Sequence, residues 1–147
     1  MSRAYIAAEL RRQIRDDANA QCGYCHSPET FLGMPHDIDH LIPEALGGPT
    51  ERENLWLACS RCNGFKGGRI DAFDIVTNQR VPLFQPRTQR WTEHFEWSLD
   101  GTRIEGLTAT GRATITLLRL NNDFILATRR FWVEAGRWPF EADLVTD

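Results

Sequence analysis

The sequence predicts an α+β fold: an N-terminal helix, a braced core of two strands and a helix, and a C-terminal β-hairpin followed by two helices. Three observations carry it. Apolar residues recur at helical spacing near the N-terminus, four cysteines form two C-x-x-C pairs, and Asp100-Gly101 separates two short runs of strand character. Residues 1–75 read as the first helix and the braced core, and residues 76–147 as an α+β extension packed on it, one compact domain being the alternative.

The first helix is expected over residues 3–19, where Tyr5, Ile6, Leu10 and Ile14 form one face and Ser2 is placed to cap. Its polar face carries Arg11, Arg12 and Arg15, which could touch phosphate or simply meet solvent. Cys22-x-x-Cys25 follows as a knuckle, with His26 as a solvent-exposed loop residue and Ser27-Pro28-Glu29 turning the chain away. From Phe31 a short hairpin is expected, with Ile38 apolar between Asp37 and Asp39, the loop 43–50 containing Gly47, Gly48 and Pro49, and a return strand over 55–58. A helix then begins at Cys59 or Ser60 and places Cys62, Asn63 and Lys66 on adjacent faces.

Residues 67–90 are rich in Gly, Pro and Arg and read as irregular, with 81–86 extended. Phe95, Trp97 and Leu99 then share a strand face before the Asp100-Gly101 turn, and 103–107 returns. Two helices close the chain at about 110–120 and 122–135. Ile115, Leu117 and Leu118 line the first, Phe124, Ala127 and Phe131 the second, and Gly136 stops it. Four of the five Trp residues lie beyond position 90, which assigns the aromatics to a core and not to a base-stacking surface. His94 falls opposite Phe95 and Trp97 and is read as structural.

Composition narrows the classes of function. A chain of 147 residues with 41% hydrophobic and 25% charged side chains is a globular domain's worth of sequence. It contains no apolar run of about 18 residues, and Glu9, Arg11 and Arg12 interrupt the apolar N-terminal residues, so a membrane partner is excluded and the expected location is the cytoplasm. A net charge of −3 argues against coating nucleic acid by bulk electrostatics. Contact with a phosphate backbone would need a local patch, aided by a bridging metal ion. Sixteen of the seventeen basic residues are Arg, and the one Lys is Lys66.

The cysteines suggest the brace. In a reducing compartment paired C-x-x-C knuckles fit tetrahedral zinc better than disulfides, so Cys22, Cys25, Cys59 and Cys62 are read as Zn²⁺ ligands. The residues 26–58 between the pairs outnumber the roughly 15 to 20 of a plain zinc ribbon, so something folded is inserted there. Cys22-Gly-Tyr-Cys25-His26 also spells the C-x-x-C-H pattern of covalent haem, but that leaves Cys59 and Cys62 without a role.

The insert carries the chemistry. Phosphodiester hydrolysis needs a base that titrates near neutrality and a divalent cation held by hard oxygen ligands. Asp39 could bind such an ion while His40 addresses the water, provided the backbone turns at Leu41-Ile42-Pro43. Asn63 could present its amide oxygen as the second ligand. Asn54 could bond the loop backbone or fix the imidazole, and Lys66 could meet phosphate or remain a surface charge. His36 is read as a strand histidine, with an approach to the metal or substrate as the alternative.

The order Asp-His, Asn-Leu, then C-x-x-C-N-x-x-K, preceded by C-x-x-C, resembles the HNH nucleases with the ββα-metal fold over about residues 20 to 68. It is similar to the branch braced by four cysteines and carrying Asn in place of the final His. The resemblance implies that His40 is the general base, that Asp39 and Asn63 hold one catalytic ion, Mg²⁺ or Mn²⁺, and that Asn54 holds the loop. It also implies a structural zinc remote from the chemistry and cleavage of DNA, most readily double-stranded, to 5′-phosphate and 3′-hydroxyl ends. A zinc-stabilised nucleic-acid-binding module without catalysis is the competing reading.

Overall fold

A computed structural model describes residues 5–144, and the proposed Ser2 cap lies outside them. Among the described residues the chain forms two units, 5–70 with 85–88 and 71–84 with 89–144.

The first unit opens with α1, Ala8–Asp17, shorter than the expected 3–19. Ala7, just before it, is extended and offers no side-chain cap, while Asn19 and Ala20 leave the helix with positive φ. Ile14 is buried and Tyr5 is exposed, so the apolar face is shorter as well. Instead of a hairpin beginning at Phe31, the chain makes the helical turn α2, Glu29–Leu32, closed by Gly33 at φ 72°. Glu29 explains the detour: its carboxylate pairs with Arg15 and accepts the His36 amide at 2.8 Å.

Strand β1, Asp37–His40, then pairs antiparallel with β2, Leu55–Ala58, in a register that sets Asp39 across from Trp56 and His40 across from Leu55. Helix α3, Ser60–Lys66, starts where expected, with the Cys59 sulfur accepting the Cys62 amide as its cap. Arg87 completes the unit from the 85–88 segment. It donates to Asp17 Oδ2 and the Leu55 carbonyl and lies over the Trp56 ring. Asp17, hydrogen-bonded first by Arg52 and then by Arg87 against the cost of burial, has its carboxyl lowered to about 2.

The second unit contains a hairpin absent from the sequence expectation, β3, Asp71–Asp74, with β4, Gln79–Pro82. Its turn is organised by Asp74, which accepts from the Thr77 amide and hydroxyl and from Arg112 at 3.0 Å. After the turn α4, Trp91–His94, comes the expected hairpin, β5, Phe95–Trp97, with β6, Ile104–Gly106. Phe95 and Trp97 are buried as expected, but Leu99 is fully exposed, because the chain has already turned around the Asp100 carboxylate.

Helices α5, Ala109–Leu118, and α6, Asp123–Glu134, are capped by Thr108 and Asn122, and Gly136 at φ 71° follows α6 as the expected stop. Leu118 is buried, with Ile115 and Leu117 partly so. The buried face of α6 is not the expected one. Phe124 and Phe131 are exposed, as is Ala127, while Ile125 and Arg129 point inward. Arg129 donates to the carbonyls of Thr102 and Leu120 and stacks on Trp97, so a charged side chain takes the place that an apolar periodicity would give to Phe. The aromatic core is present: rings from Trp91 and Phe95 through Trp97 and Trp138 to Trp132 and Phe140 pack at centroid distances of 4.9 to 5.5 Å. His94 bonds Thr108 and packs edge-on to Phe84, a structural role. Among the described residues no helix is long and apolar enough to cross a membrane.

Candidate active site

The brace comes first, because it fixes the ends of the insert. All four cysteines are buried, are free of disulfides, and offer sulfurs within 4.8 Å of one another. The Cys25 and Cys59 sulfurs are 3.8 Å apart, the edge expected of a tetrahedron with Zn–S bonds of about 2.3 Å. Arg61 supplies a second sign of fit. Its Nε and Nη2 are buried without a hydrogen-bond partner among the described residues. Burial opposes its charge, and the surrounding cysteines, Cys25 foremost, outweigh burial and hold it protonated. A dianionic tetrathiolate is what such a guanidinium would compensate, so the residues present fit zinc. Cys22, Cys25, Cys59 and Cys62 would hold it, two from the knuckle and two from the start of α3.

His26 in this knuckle is half-buried at φ 62°, not the exposed loop residue expected. His36 is buried and its Nε2 meets the Ser27 carbonyl at 2.8 Å, so it serves the knuckle's backbone.

Between the strands and α3 lies an open cleft of about 330 Å³, lined among others by Asp37, Asp39, His40, Glu44, Asn63 and Arg11. Asp39, His40 and Asn63 thus come together. The strand ends at His40, and the bend through Leu41 and Ile42 is the turn that neighbouring residues need to address one space.

Asp39 is only 4% exposed. Its Oδ2 accepts from the Tyr24 hydroxyl at 2.9 Å and its Oδ1 from Lys66 Nζ at 3.2 Å. Burial pushes its carboxyl above the ordinary range, with Lys66 and Tyr24 pulling the other way. Burial and the Asp39 charge push the Tyr24 phenol far up, so it remains the donor. Lys66 also donates to the His40 carbonyl and is itself buried, so it is not a surface charge: its ammonium faces the carboxylate.

His40 Nε2 lies 2.9 Å from Thr50 Oγ1 and 3.8 Å from Glu44 Oε1. Of the two tasks expected for Asn54, the structure gives it the loop. Its Oδ1 accepts the Ile42 amide, and its Nδ2 donates to the carbonyls of Ile42 and Pro49. Gly48 is required in that loop, since a Cβ there would lie 1.7 Å from the Ile42 oxygen. Thr50, not Asn54, meets the imidazole. Asn63 Nδ2 donates to Asp37 Oδ2 at 3.1 Å, and its Oδ1 has no hydrogen-bond partner among the described residues.

Sequence reasoning passed over Tyr24, Asp37, Thr50 and Glu44. Asp37 was within reach, because residues i and i+2 of a strand share a face and Asp37 stands two before Asp39. Tyr24 and Thr50 carried no signal, since each acts through a contact made only by the folded chain.

Residues 22–69 match the family model described as HNH endonuclease. Over 58 residues, 39% of its length, the chain is 50% identical to the CRISPR-associated endonuclease Cas9 of Corynebacterium diphtheriae, and it spans 5% of that protein's length. No solved structure matches the chain. Read with the cysteine cluster and the two-strand-and-helix core, these matches identify residues 22–69 as an HNH endonuclease domain.

Proposed function

We propose that the chain is a metal-dependent endonuclease that hydrolyses phosphodiester bonds of double-stranded DNA, with His40 as general base and one divalent ion, Mg²⁺ or Mn²⁺, held by Asp39 and Asn63. The observation that supports it most is the convergence of Asp39, His40 and Asn63 on one open cleft. The oxygen donors there suit a hard cation. Asp39 keeps a second lone pair on each oxygen after its bonds to Tyr24 and Lys66, and Asn63 keeps its Oδ1 because Asp37 holds the amide by its nitrogen. When bound, the ion would neutralise charge developing on the phosphate and leaving oxygen.

The chain's own residues do the rest. His40 protonated at Nε2 would donate to Thr50 Oγ1 and leave Nδ1 to accept a proton from the attacking water. Glu44, beside Nε2, would stabilise the imidazolium that results. Asn54 keeps the loop carrying Thr50 in place.

Phosphate attraction falls to Arg11 in this reading. Arg12 pairs with Glu9, Arg15 with Glu29 and Lys66 with Asp39, whereas Arg11 lines the cleft without an ion pair among the described residues. Arg11→Gln is expected to weaken DNA binding at all sequences and to reduce the slope of log K against log salt by about 1, with the rate at saturating DNA unchanged. An unchanged slope would remove Arg11 from the DNA path.

The non-catalytic binding module is favoured by one observation, that Asp39 is buried and already paired. Incubation with supercoiled plasmid separates the two. Nicking or cutting that requires Mg²⁺ or Mn²⁺ and leaves 5′-phosphate ends supports the nuclease, and binding without cutting at millimolar metal supports the module.

A further inference from the structure

We infer that Tyr24 is a positioning residue for the cation-binding carboxylate, so that the first cysteine knuckle aims Asp39 as well as bracing the fold. The inference rests on the proposed ion site. Tyr24 lies between Cys22 and Cys25, wholly buried, and its hydroxyl reaches Asp39 Oδ2 at 2.9 Å. The base of the ring is held from both sides. Its own amide donates to the Cys22 sulfur at 3.4 Å, and the neighbouring Gly23 amide donates to the Leu57 carbonyl of β2 at 2.9 Å.

A carboxylate with one oxygen on Tyr24 and the other on Lys66 cannot rotate without breaking one of those bonds. Its remaining lone pairs are therefore fixed in direction. The two donors differ in what anchors them. Lys66 is the last residue of α3 and brings a charge, while Tyr24 brings a neutral donor from a loop whose shape the cysteines set. The zinc site and the reacting cleft are thus one side chain apart, not remote. Partners of this kind, bonded to a ligand and not to the ion, typically contribute about 10- to 100-fold in metal affinity.

A tyrosine that merely filled the core would be replaced by phenylalanine without effect on the ion. The test uses the full zinc-loaded chain and Mn²⁺ alone, followed by electron paramagnetic resonance, without DNA. Tyr24→Phe is expected to keep about one zinc per chain and to weaken Mn²⁺ about 10- to 100-fold. In plasmid assays the Mg²⁺ needed for half-maximal rate should rise in the same proportion, while the rate at saturating Mg²⁺ is largely restored. In an Asp39→Asn background the same change should add nothing further. Unchanged Mn²⁺ affinity in Tyr24→Phe, or an equal loss with and without Asp39, overturns the inference.

Should the phenylalanine variant not fold, 3-fluorotyrosine in the native position serves instead. Tyr5 and Tyr24 are the two tyrosines, so Tyr5→Phe leaves a single fluorine signal. That signal is expected to shift on Mg²⁺ addition with the midpoint of ion binding, and a signal indifferent to saturating Mg²⁺ overturns the inference. Wild-type protein that binds Mn²⁺ but cuts no DNA would sink the nuclease and leave this inference to stand on the Mn²⁺ comparison. Wild-type protein that binds no Mn²⁺ at millimolar concentration would sink both.

Discussion

Removing zinc is expected to unfold the first unit. Its buried apolar residues besides the cysteines are few, Ile14, Ala18, Tyr24, Leu41, Leu55, Leu57 and Ala58 among them. Its strands are four residues each, and its helix α3 is seven. Elements this short do not hold together alone. A structural zinc site contributes about 10–16 kcal/mol of binding energy to folding, as much as the whole stability of an ordinary domain at about 5–15 kcal/mol. Cys62→Ser takes one thiol from the cluster at the start of α3 and leaves the buried Nε and Nη2 of Arg61 beside an incomplete set of sulfurs. Metal analysis should find about one zinc per wild-type chain. Chelation or the serine variant should abolish the far-ultraviolet signal of this unit and open residues 22–69 to protease. A zinc-free protein with native spectrum and protease resistance would contradict the brace.

Lys66→Met is expected to lower stability by about 3–5 kcal/mol, the usual cost of leaving one member of a buried ion pair without its partner. The figure applies because both side chains are enclosed, Lys66 at 3% and Asp39 at 4% of side-chain exposure, and because Lys66 also satisfies the His40 carbonyl. At the surface the same pair would contribute little. The physical cause gives the control: Lys66→Met with Asp39→Asn removes the stranded charge and should recover a large part of the loss. Urea midpoints of the two singles and the double measure it. A loss below about 1 kcal/mol in the single variant would mean that Asp39 is solvated enough to do without the ammonium. Divalent metal should stabilise Lys66→Met more than wild type, since an ion bound at Asp39 would replace the missing cation.

The core of the fold was legible where local chemistry dictates it. Paired C-x-x-C knuckles, the Gly-Gly-Pro loop and the run beginning at Cys59 each point to one local structure, and β2 and α3 stand where those signals place them, while β1 begins at Asp37 and not at Phe31. The Asp100-Gly101 turn and the Gly136 stop were read for the same reason. Elements set by long-range partners were not legible. Glu29 turns Phe31 into a helical turn because it finds Arg15 and the His36 amide, and β3 with β4 forms around Asp74 because Arg112, far along the sequence, meets it. Helix α6 buries Arg129 instead of Phe131, since three carbonyl and amide acceptors and the Trp97 face await the guanidinium.

The candidate site divides along the same line. Asp39, His40 and Asn63 are residue types that the chemistry itself demands, so their order along the chain pointed to them. Lys66 and Asn54 were visible as residue types but ambiguous in task. The one proves to be a buried partner of Asp39 and the other a clamp on the loop backbone. Tyr24 and Thr50 became visible only when the knuckle and the loop were folded against the strand.

The most direct measurement compares plasmid cleavage by wild type and His40→Ala across Mg²⁺ and Mn²⁺. His40 is partly exposed at the cleft, and among the described residues its side chain bonds Thr50 and approaches Glu44, so its truncation should leave the fold and the zinc content intact. Wild type is expected to cut in a metal-dependent way, and the variant to lose about 10²- to 10⁴-fold, the range of a positioned general base. Undiminished cutting by His40→Ala, with the fold and zinc unchanged, would contradict it.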